Sequence, residues 1–418
     1  LFKFIHTADL HLGSPFKGIE NVSEELQQRL YDSTYQAFKN VVDLALAEEV
    51  DFILIAGDLY DVADKNIRAQ VFCQRELSRL ADKGIHTFIV HGNHDHCSGW
   101  RAELTWSEEV HFFNAGQVDN IPFSKEGIEV AKIHGISYPQ QNVNDNYFKK
   151  FKVRDESLYQ IGVLHTNVDG KNDYQNYAPC RLNDLVRSNF DYWALGHIHQ
   201  KNILNEIQPT IIYPGNIQGR HPKETGSKGC YVVEVSDNGK TEYEFISTDV
   251  VRWYYEELDI TDVENEEILL NRLEERIDKI KSENISGIIR FKLQGRTLLH
   301  HKLKVDGYIE EIVQLLRSHW QQGKKFYWVD SIKVETGPKL NKERIRNEET
   351  LVGDFLNLAQ QSKKDETLFT ELRGAISPVY EEDNRASKVL RGLSDDRLKE
   401  LIKQAEDLGL DLLLGKEG

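Results

Sequence analysis

Apolar and polar residues follow two periods over the first 250 positions. Short apolar runs at 1–5, 51–56, 87–90, 161–164 and 192–195 are rich in β-branched and aromatic side chains and predict buried strands. Between them apolar residues recur at helical spacing, Leu30, Phe38, Val41, Val42 and Ala45 before the second run and Val71, Leu77 and Leu80 before the third. That alternation is an α/β pattern. From about 203 the runs shorten: 210–213 ahead of Pro214-Gly215-Asn216, then 230–235 and 241–246 around Asn238-Gly239. These predict antiparallel strands that finish a second sheet. The expected architecture for 1–250 is a two-sheet sandwich flanked by helices.

A second pattern starts at 251. A strand over 253–258, a charged helix through Leu269, Leu273, Ile277 and Ile280, a strand over 287–293, a helix through Ile309, Ile312, Leu315 and Leu316, and a strand over 326–334 predict a small βαβαβ module, 251–338. Residues 339–418 open with Lys339, Lys342, Arg344 and Arg346 and continue with apolar residues at helical spacing, Leu398, Leu401, Ile402, Ala405 and Leu408. They predict amphipathic helices with too little core to fold alone, which makes a partner's groove the expected cover for the apolar stripe.

Each core run in 1–250 closes on a polar cluster: His6-Thr7-Ala8-Asp9-Leu10-His11, Gly57-Asp58-Leu59-Tyr60-Asp61, Gly92-Asn93-His94-Asp95, Leu164-His165-Thr166-Asn167 and Gly196-His197-Ile198-His199. In layered α/β folds the loops at strand carboxyl ends share one edge, so these side chains are expected to meet in one crevice. Asp9 and His11, two apart, point the same way from an extended strand end and can grip one ion; His197 and His199 repeat the spacing. Asp58 can bridge two cations, and Asn93 adds a neutral oxygen. Mixed carboxylate, amide and imidazole donors suit Mn²⁺, Fe²⁺ or Zn²⁺. Two such ions about 4 Å apart favour in-line attack on a phosphate ester. His94, beside Asn93, is the expected proton donor to the leaving oxygen, with Asp95 as its orienting acid.

Composition narrows the picture. The 418 residues carry a formal net charge of −16, which argues against wrapping a polyanion and leaves nucleic-acid contact local or shared with a partner. No 18-residue uncharged stretch occurs, so neither a membrane span nor a secretory signal is expected and a cytoplasmic location is. Cys73, Cys97, Cys180 and Cys230 lack metal or disulfide spacing and read as reduced structural thiols. Methionine is absent from the chain.

The order DxH, GDxxD, GNHD, a lone His and GHxH strongly resembles the calcineurin-like metallophosphoesterases over about 250 residues. His-Thr-Ala-Asp-Leu-His-Leu-Gly, Ala-Leu-Gly-His-Ile-His and Tyr-Pro-Gly-Asn resemble the SbcD-type DNA double-strand-break repair nucleases, and the YhaO-type branch more closely still. By motif match the resemblance implies one metal held by Asp9, His11, Asp58 and His199, a second by Asp58, Asn93, His165 and His197, and His94 as the catalytic histidine. It implies two divalent ions, most readily Mn²⁺, exo- and endonuclease action on DNA in repair, a capping domain over 251–338, a helical segment over 339–418 that docks on the coiled coil of an SbcC-type ATPase, and a homodimer. Archaeal relatives carry a histidine where this chain has Asp61, so that histidine's role does not transfer.

Other readings stand beside these. A phosphodiesterase or phosphatase for a small nucleotide or phosphoprotein needs the same dimetal site, and an ATPase-anchoring subunit with a residual metal site needs only the tail. Asp61 and Asp64 are expected to cap the following helix. His6, His86, His91, His96, His111 and His134 are taken as structural or surface groups. Arg220 and His221, with Lys223 and Lys228, either touch a phosphate or belong to a solvated hairpin. His300, His301, Lys302, Lys304, Lys324 and Lys325 either extend a DNA track or form a solvated face, the second being the expected one.

Overall fold

The computed structural model describes residues 1–19, 22–153, 157–170, 177–320, 323–381 and 394–414. It divides into two compact units. The first comprises 1–256, 274–291 and 313–332, the second 257–273, 292–312 and 333–418.

The first unit holds two six-stranded sheets. In one, β1 (Phe2–Thr7), β2 (Phe52–Ala56), β3 (His86–Val90) and β4 (Val110–Phe112) run parallel. In the other, β5 (Asp119–Lys125), β6 (Ile128–Gly135), β7 (Tyr159–His165), β8 (Tyr192–Gly196), β9 (Asn202–Asn205) and β10 (Thr210–Tyr213) lie in the order β5-β6-β7-β8-β10-β9. The period-2 alternation sorts each strand into two cores. Phe4, Phe52, Leu54 and Phe88 face Ile161, Val163, Tyr192 and Ala194 between the sheets. Ile5, Ile53, Ile55 and Ile89 face the other way, against Phe38, Val41 and Val42 of α1 (Glu24–Ala47) and Leu77 and Leu80 of α2 (Ile67–Ala81). The rings of Phe4 and Phe52 stack at 5.0 Å, and truncating a buried Phe of this kind costs about 3–5 kcal/mol.

One expectation changes. β10 does complete the second sheet, but β11 (Gly229–Val235) and β12 (Thr241–Ser247) return to the first, giving β12-β11-β1-β2-β3-β4. β11 runs antiparallel to β1, Phe2 opposite Val235 and His6 opposite Tyr231, and so satisfies the edge that β1 leaves open on the side away from β2. Strand propensity carries no information about which open edge is taken. Strands β13 (Val251–Asp259), β14 (Ser286–Thr297) and β15 (Tyr327–Pro338) form a third sheet, with α3 (Leu182–Val186) earlier in the chain and α4 (Glu266–Lys281), α5 (His300–Leu303) and α6 (Tyr308–Trp320) between these strands.

The second unit ends in α7 (Lys342–Arg346), α8 (Leu351–Lys364), α9 (Glu366–Glu381) and α10 (Asp395–Leu414). Leu356, Leu398 and Leu410 are buried there, and buried Glu406 binds Lys342 at 2.7 Å and Lys363 at 2.5 Å. Leu351, Leu358, Leu408 and Leu412 stay exposed. Lys302 of the basic cluster is paired with Glu266, as expected of a solvated face. Among the described residues no helix is long and apolar enough to cross a membrane.

Candidate metal centre

The carboxyl ends of β1, β2, β3, β7 and β8 turn at once into the five polar loops. Four of the carriers sit in the left-handed region, Asp9 at φ 51°, His11 at 44°, Asp58 at 57° and His197 at 97°. Such backbone costs on the order of 1–3 kcal/mol per residue and persists only where neighbours hold it. Here they do. Asp9 N donates to Gly57 O at 3.0 Å, His11 N to Asp58 O at 2.9 Å, and His197 N to both oxygens of Asp9 at 3.1 Å. Gly196 serves the same convergence, since a Cβ there would run into the Ala56 carbonyl.

The side chains meet. Asp9, His11 and His199, and Asp9, Asp58 and His165, each place ligand atoms within 4.8 Å of one another. Asn93 Oδ1 lies 3.0 Å from His165 Nε2, and the His197 ring centroid is 5.2 Å from that of His165. Six of the seven expected ligands, Asp9, His11, Asp58, Asn93, His165 and His199, are thus linked by ligand-atom distances, and the His197 ring packs beside them.

Hydrogen bonds behind the cluster set the imidazole tautomers. His11 Nδ1 faces Asp61 Oδ1 at 3.4 Å, His199 Nδ1 faces Glu224 Oε1 at 2.6 Å, and His165 Nδ1 faces Ala56 O at 2.9 Å. Carboxylates and carbonyls only accept, so each Nδ1 carries the hydrogen and each Nε2 turns a lone pair inward. Those of His11 and His199 stand 3.2 Å apart, and Asp58 Oδ2 lies 3.7 Å from His11 Nε2 and 3.4 Å from His165 Nε2. Converging buried acceptors with their outer nitrogens already committed fit a cation, the arrangement second-sphere carboxylates impose on metal-binding histidines.

Electrostatics follow from this crowding. Burial raises the Asp9 carboxyl to about 6, against the pull of His199 and His165, and burial drives His11 down to about 3. Burial works against ionisation of Asp58 too, but His165, His94 and His11 outweigh it and hold that carboxyl well below its ordinary range.

His94 stands at the rim, its side chain 43 % exposed, with Nδ1 2.5 Å from Asp61 Oδ1. Burial lowers its proton affinity, yet the Asp61 hydrogen bond and the charges of Asp58 and Asp61 prevail and lift it to about 9. The imidazolium is the neutral-pH form.

Two sequence expectations are corrected here. Asp61 makes no side-chain cap: the helix that follows, α2, is capped by Asn66, which accepts from Ala69 N at 3.0 Å. Asp61 instead binds His94, His11 and Ser14. Asp95 does not orient His94. It turns away from the rim, accepting from Gly92 N at 2.6 Å, Asp58 N and Leu59 N at 3.2 Å, and His91 Nδ1 at 3.0 Å, so it braces the loop from behind, with His91 behind it in turn. The DxxD spacing is the only trace of Asp61's role in the sequence, and Glu224 has none.

The basic loop divides. Lys228 is buried and donates to His199 O at 2.9 Å, which removes it from any substrate; His221 Nδ1 accepts from Lys223 N at 3.1 Å within its own turn. Arg220 is partly buried, and its charge acts on both His11 and His94.

Comparison with known proteins agrees with this geometry. Residues 2–201 match the calcineurin-like phosphoesterase family, and residues 253–337 match the middle domain of metallophosphoesterase YhaO. The chain is 34 % identical over 403 residues to the uncharacterized metallophosphoesterase YhaO of Bacillus subtilis, covering 96 % of each. It is 26 % identical over 307 residues to the DNA double-strand break repair protein Mre11 of Sulfurisphaera tokodaii, covering 71 % of this chain and 74 % of that one. To a subunit of the nuclease SbcCD of Staphylococcus epidermidis it is 26 % identical over 320 residues, 70 % of this chain and 78 % of the relative.

Proposed function

The chain belongs to the calcineurin-like metallophosphoesterases, and from that premise we propose that it is a two-metal nuclease hydrolysing DNA phosphodiesters, exo- and endonucleolytically, in cytoplasmic DNA repair. The observation that carries the hydrolytic part is the His94–Asp61 pair, 2.5 Å apart, standing beside a cluster of converging, cation-seeking acceptors. The DNA part is supported by the relatives named as a break-repair protein and as part of a nuclease.

In this reading Asp9, His11, Asp58 and His199 hold one divalent ion, and Asp58, Asn93, His165 and His197 the other, with Mn²⁺ the proposed metal. When bound, such a pair lowers the pKa of water and neutralises charge on the phosphate oxygens. The protein's own groups do the rest. Asp61 keeps the His94 ring oriented and positive, and Nε2 delivers its proton to the leaving 3′ or 5′ oxygen as negative charge builds there. Asp95 and His91 hold Asp58 and the GNHD loop in register.

We assign catalysis to 1–250, a capping role to 251–338 and partner binding to 339–418, where exposed Leu351, Leu358, Leu408 and Leu412 offer an apolar surface to the coiled coil of an SbcC-type ATPase. Homodimerisation is part of the same proposal. The net charge of −16 favours a second reading, a phosphodiesterase for small nucleotides.

The test is Mn²⁺-dependent cleavage of end-labelled linear DNA, beside His94→Ala and a small bis-phosphate ester. Cleavage by the native chain, lost in His94→Ala with metal content retained, is expected. Ester hydrolysis without DNA cleavage would move the assignment to small nucleotides.

A further inference from the structure

The loop 216–224 adjoins the metal cluster through His199 and is gathered on a single carboxylate. Glu224 Oε2 accepts from Arg220 N at 2.7 Å, His221 N at 3.2 Å and Asn216 Nδ2 at 3.2 Å, while Oε1 takes His199 Nδ1 at 2.6 Å. From the other side Lys17 N donates to Arg220 O at 2.9 Å. The backbone of Arg220 is therefore tied at both its N–H and its C=O, and one of those ties leads through one side chain to a histidine of the cluster.

The guanidinium at the end of this strut supports the Glu224 carboxylate by its charge but makes no hydrogen bond among the described residues. It has no ion-pair partner among them either, and its Nε is buried without a partner. A buried donor left unpaired is costly, and the large majority of such groups in folded proteins are satisfied. The oxygens of Glu224 nearby are already taken. The charge lies close enough to oppose protonation of both His11 in the cluster and His94 at its rim.

We propose that Arg220 is a ligand for the nonbridging oxygens of the substrate phosphate, and that Glu224 is the positioning residue that keeps it in register with His199. The assignment rests on the phosphodiester-hydrolysis reading above. A planar guanidinium fork matches two oxygens of one phosphate, as an ammonium does not. With His94 at the leaving oxygen, Arg220 supplies fixed positive charge to the equatorial oxygens, where negative charge grows along an in-line displacement. Because Glu224 carries both the His199 tautomer and the Arg220 backbone, loosening it should disturb metal affinity and substrate turnover together.

The experiment uses the full chain loaded with Mn²⁺, with bis(p-nitrophenyl) phosphate and end-labelled linear DNA as substrates and Arg220→Ala, Arg220→Lys and Glu224→Gln as variants. For Arg220→Ala, kcat/KM on the ester should fall by about 10²–10³-fold with bound metal and melting temperature unchanged. Added guanidinium chloride at low millimolar concentration should restore part of it, and equal sodium chloride should not. Arg220→Lys should remain impaired. Inorganic phosphate, titrated calorimetrically, should bind Arg220→Ala about tenfold more weakly, one lost charge-assisted contact. Glu224→Gln should lower both kcat and metal affinity, the latter by about 10–100-fold. Arg220→Ala retaining native turnover and phosphate affinity would overturn the proposal, as would loss of activity accompanied by loss of metal. A loaded native chain that hydrolyses neither substrate would instead overturn the phosphodiesterase reading beneath it.

Discussion

Replacing Asp61 by Asn should convert an enzyme active into the alkaline range into one confined to acid. The His94 imidazolium owes its pKa of about 9 to Asp61: burial alone depresses it, and the Asp61 hydrogen bond and carboxylate charge, with Asp58, carry it past the ordinary 6.5. Asn keeps the shape and the oxygen that can accept from Nδ1, but not the charge. With the pKa returned to about 6.5 or below, the protonated fraction at pH 7.5 falls from about 97 % to about 9 %, roughly a tenfold loss of the acid form. At pH 8 the ratio is about 30, and at pH 5.5 it is close to 1, because both proteins are protonated there. The assay is kcat against pH from 5.5 to 9.5 on a bis-phosphate ester, with bound metal measured in parallel because Asp61 also faces His11 Nδ1 at 3.4 Å. The variant should approach native turnover at pH 5.5, and its alkaline limb should move down by about 2.5 units. An alkaline limb that stays in place, with metal retained, would show that His94 is not the acid or that Asp61 does not set its charge.

Why the role of Asp61 is hidden in the sequence shows what sequence can and cannot supply. The gathering of the seven expected positions is legible because each lies at or just past the end of a buried strand, and parallel strands bring their carboxyl ends to one edge whatever the details of the loops. Asp95 follows His94 and so reads as its partner, but consecutive side chains in a tight turn point apart. The GNHD loop sends His94 out to 43 % side-chain exposure and Asp95 inward to collect backbone N–H groups. Asp61 precedes a short 3₁₀ turn, which makes an N-cap a reasonable expectation. The helix start at Asn66 and the left-handed Lys65 release Asp61 for the site. Glu224 reaches His199 across 25 residues through a hairpin whose path no periodicity encodes. The same limit hides the return of β11 to the edge of β1, a choice made by open hydrogen-bonding groups rather than by strand propensity.

Gly196→Ala should destabilise the site more than the fold: its Cβ collides with the Ala56 carbonyl, the same carbonyl that holds His165 Nδ1, so metal affinity should drop alongside an overpacking cost of about 1–3 kcal/mol in denaturant melts. An unchanged metal affinity would contradict this. Buried His6, lowered to about 3 by burial, contributes stability above its unfolded pKa of 6.5 that is lost as pH falls toward 3, so His6→Asn should flatten the acid side of a plot of denaturation midpoint against pH. An equally steep acid side in the variant would refute that. The last prediction concerns Asp9, raised to about 6 in the metal-free protein because burial disfavours its charge. A cation held there requires the carboxylate, so binding must expel whatever proton Asp9 carries. At pH 5.5 Asp9 is about 75 % protonated and at pH 7.5 about 3 %, so the Asp9 share of the protons released on Mn²⁺ binding should be about 0.7 larger at the lower pH, and binding there correspondingly weaker. His11, pushed to about 3, is already neutral at both pH values and adds nothing to the difference. Calorimetric titration in buffers of different ionisation enthalpy counts these protons. Equal release at the two pH values would mean that Asp9 is already ionised in the metal-free site, and that the converging acceptors are relieved by something other than a proton.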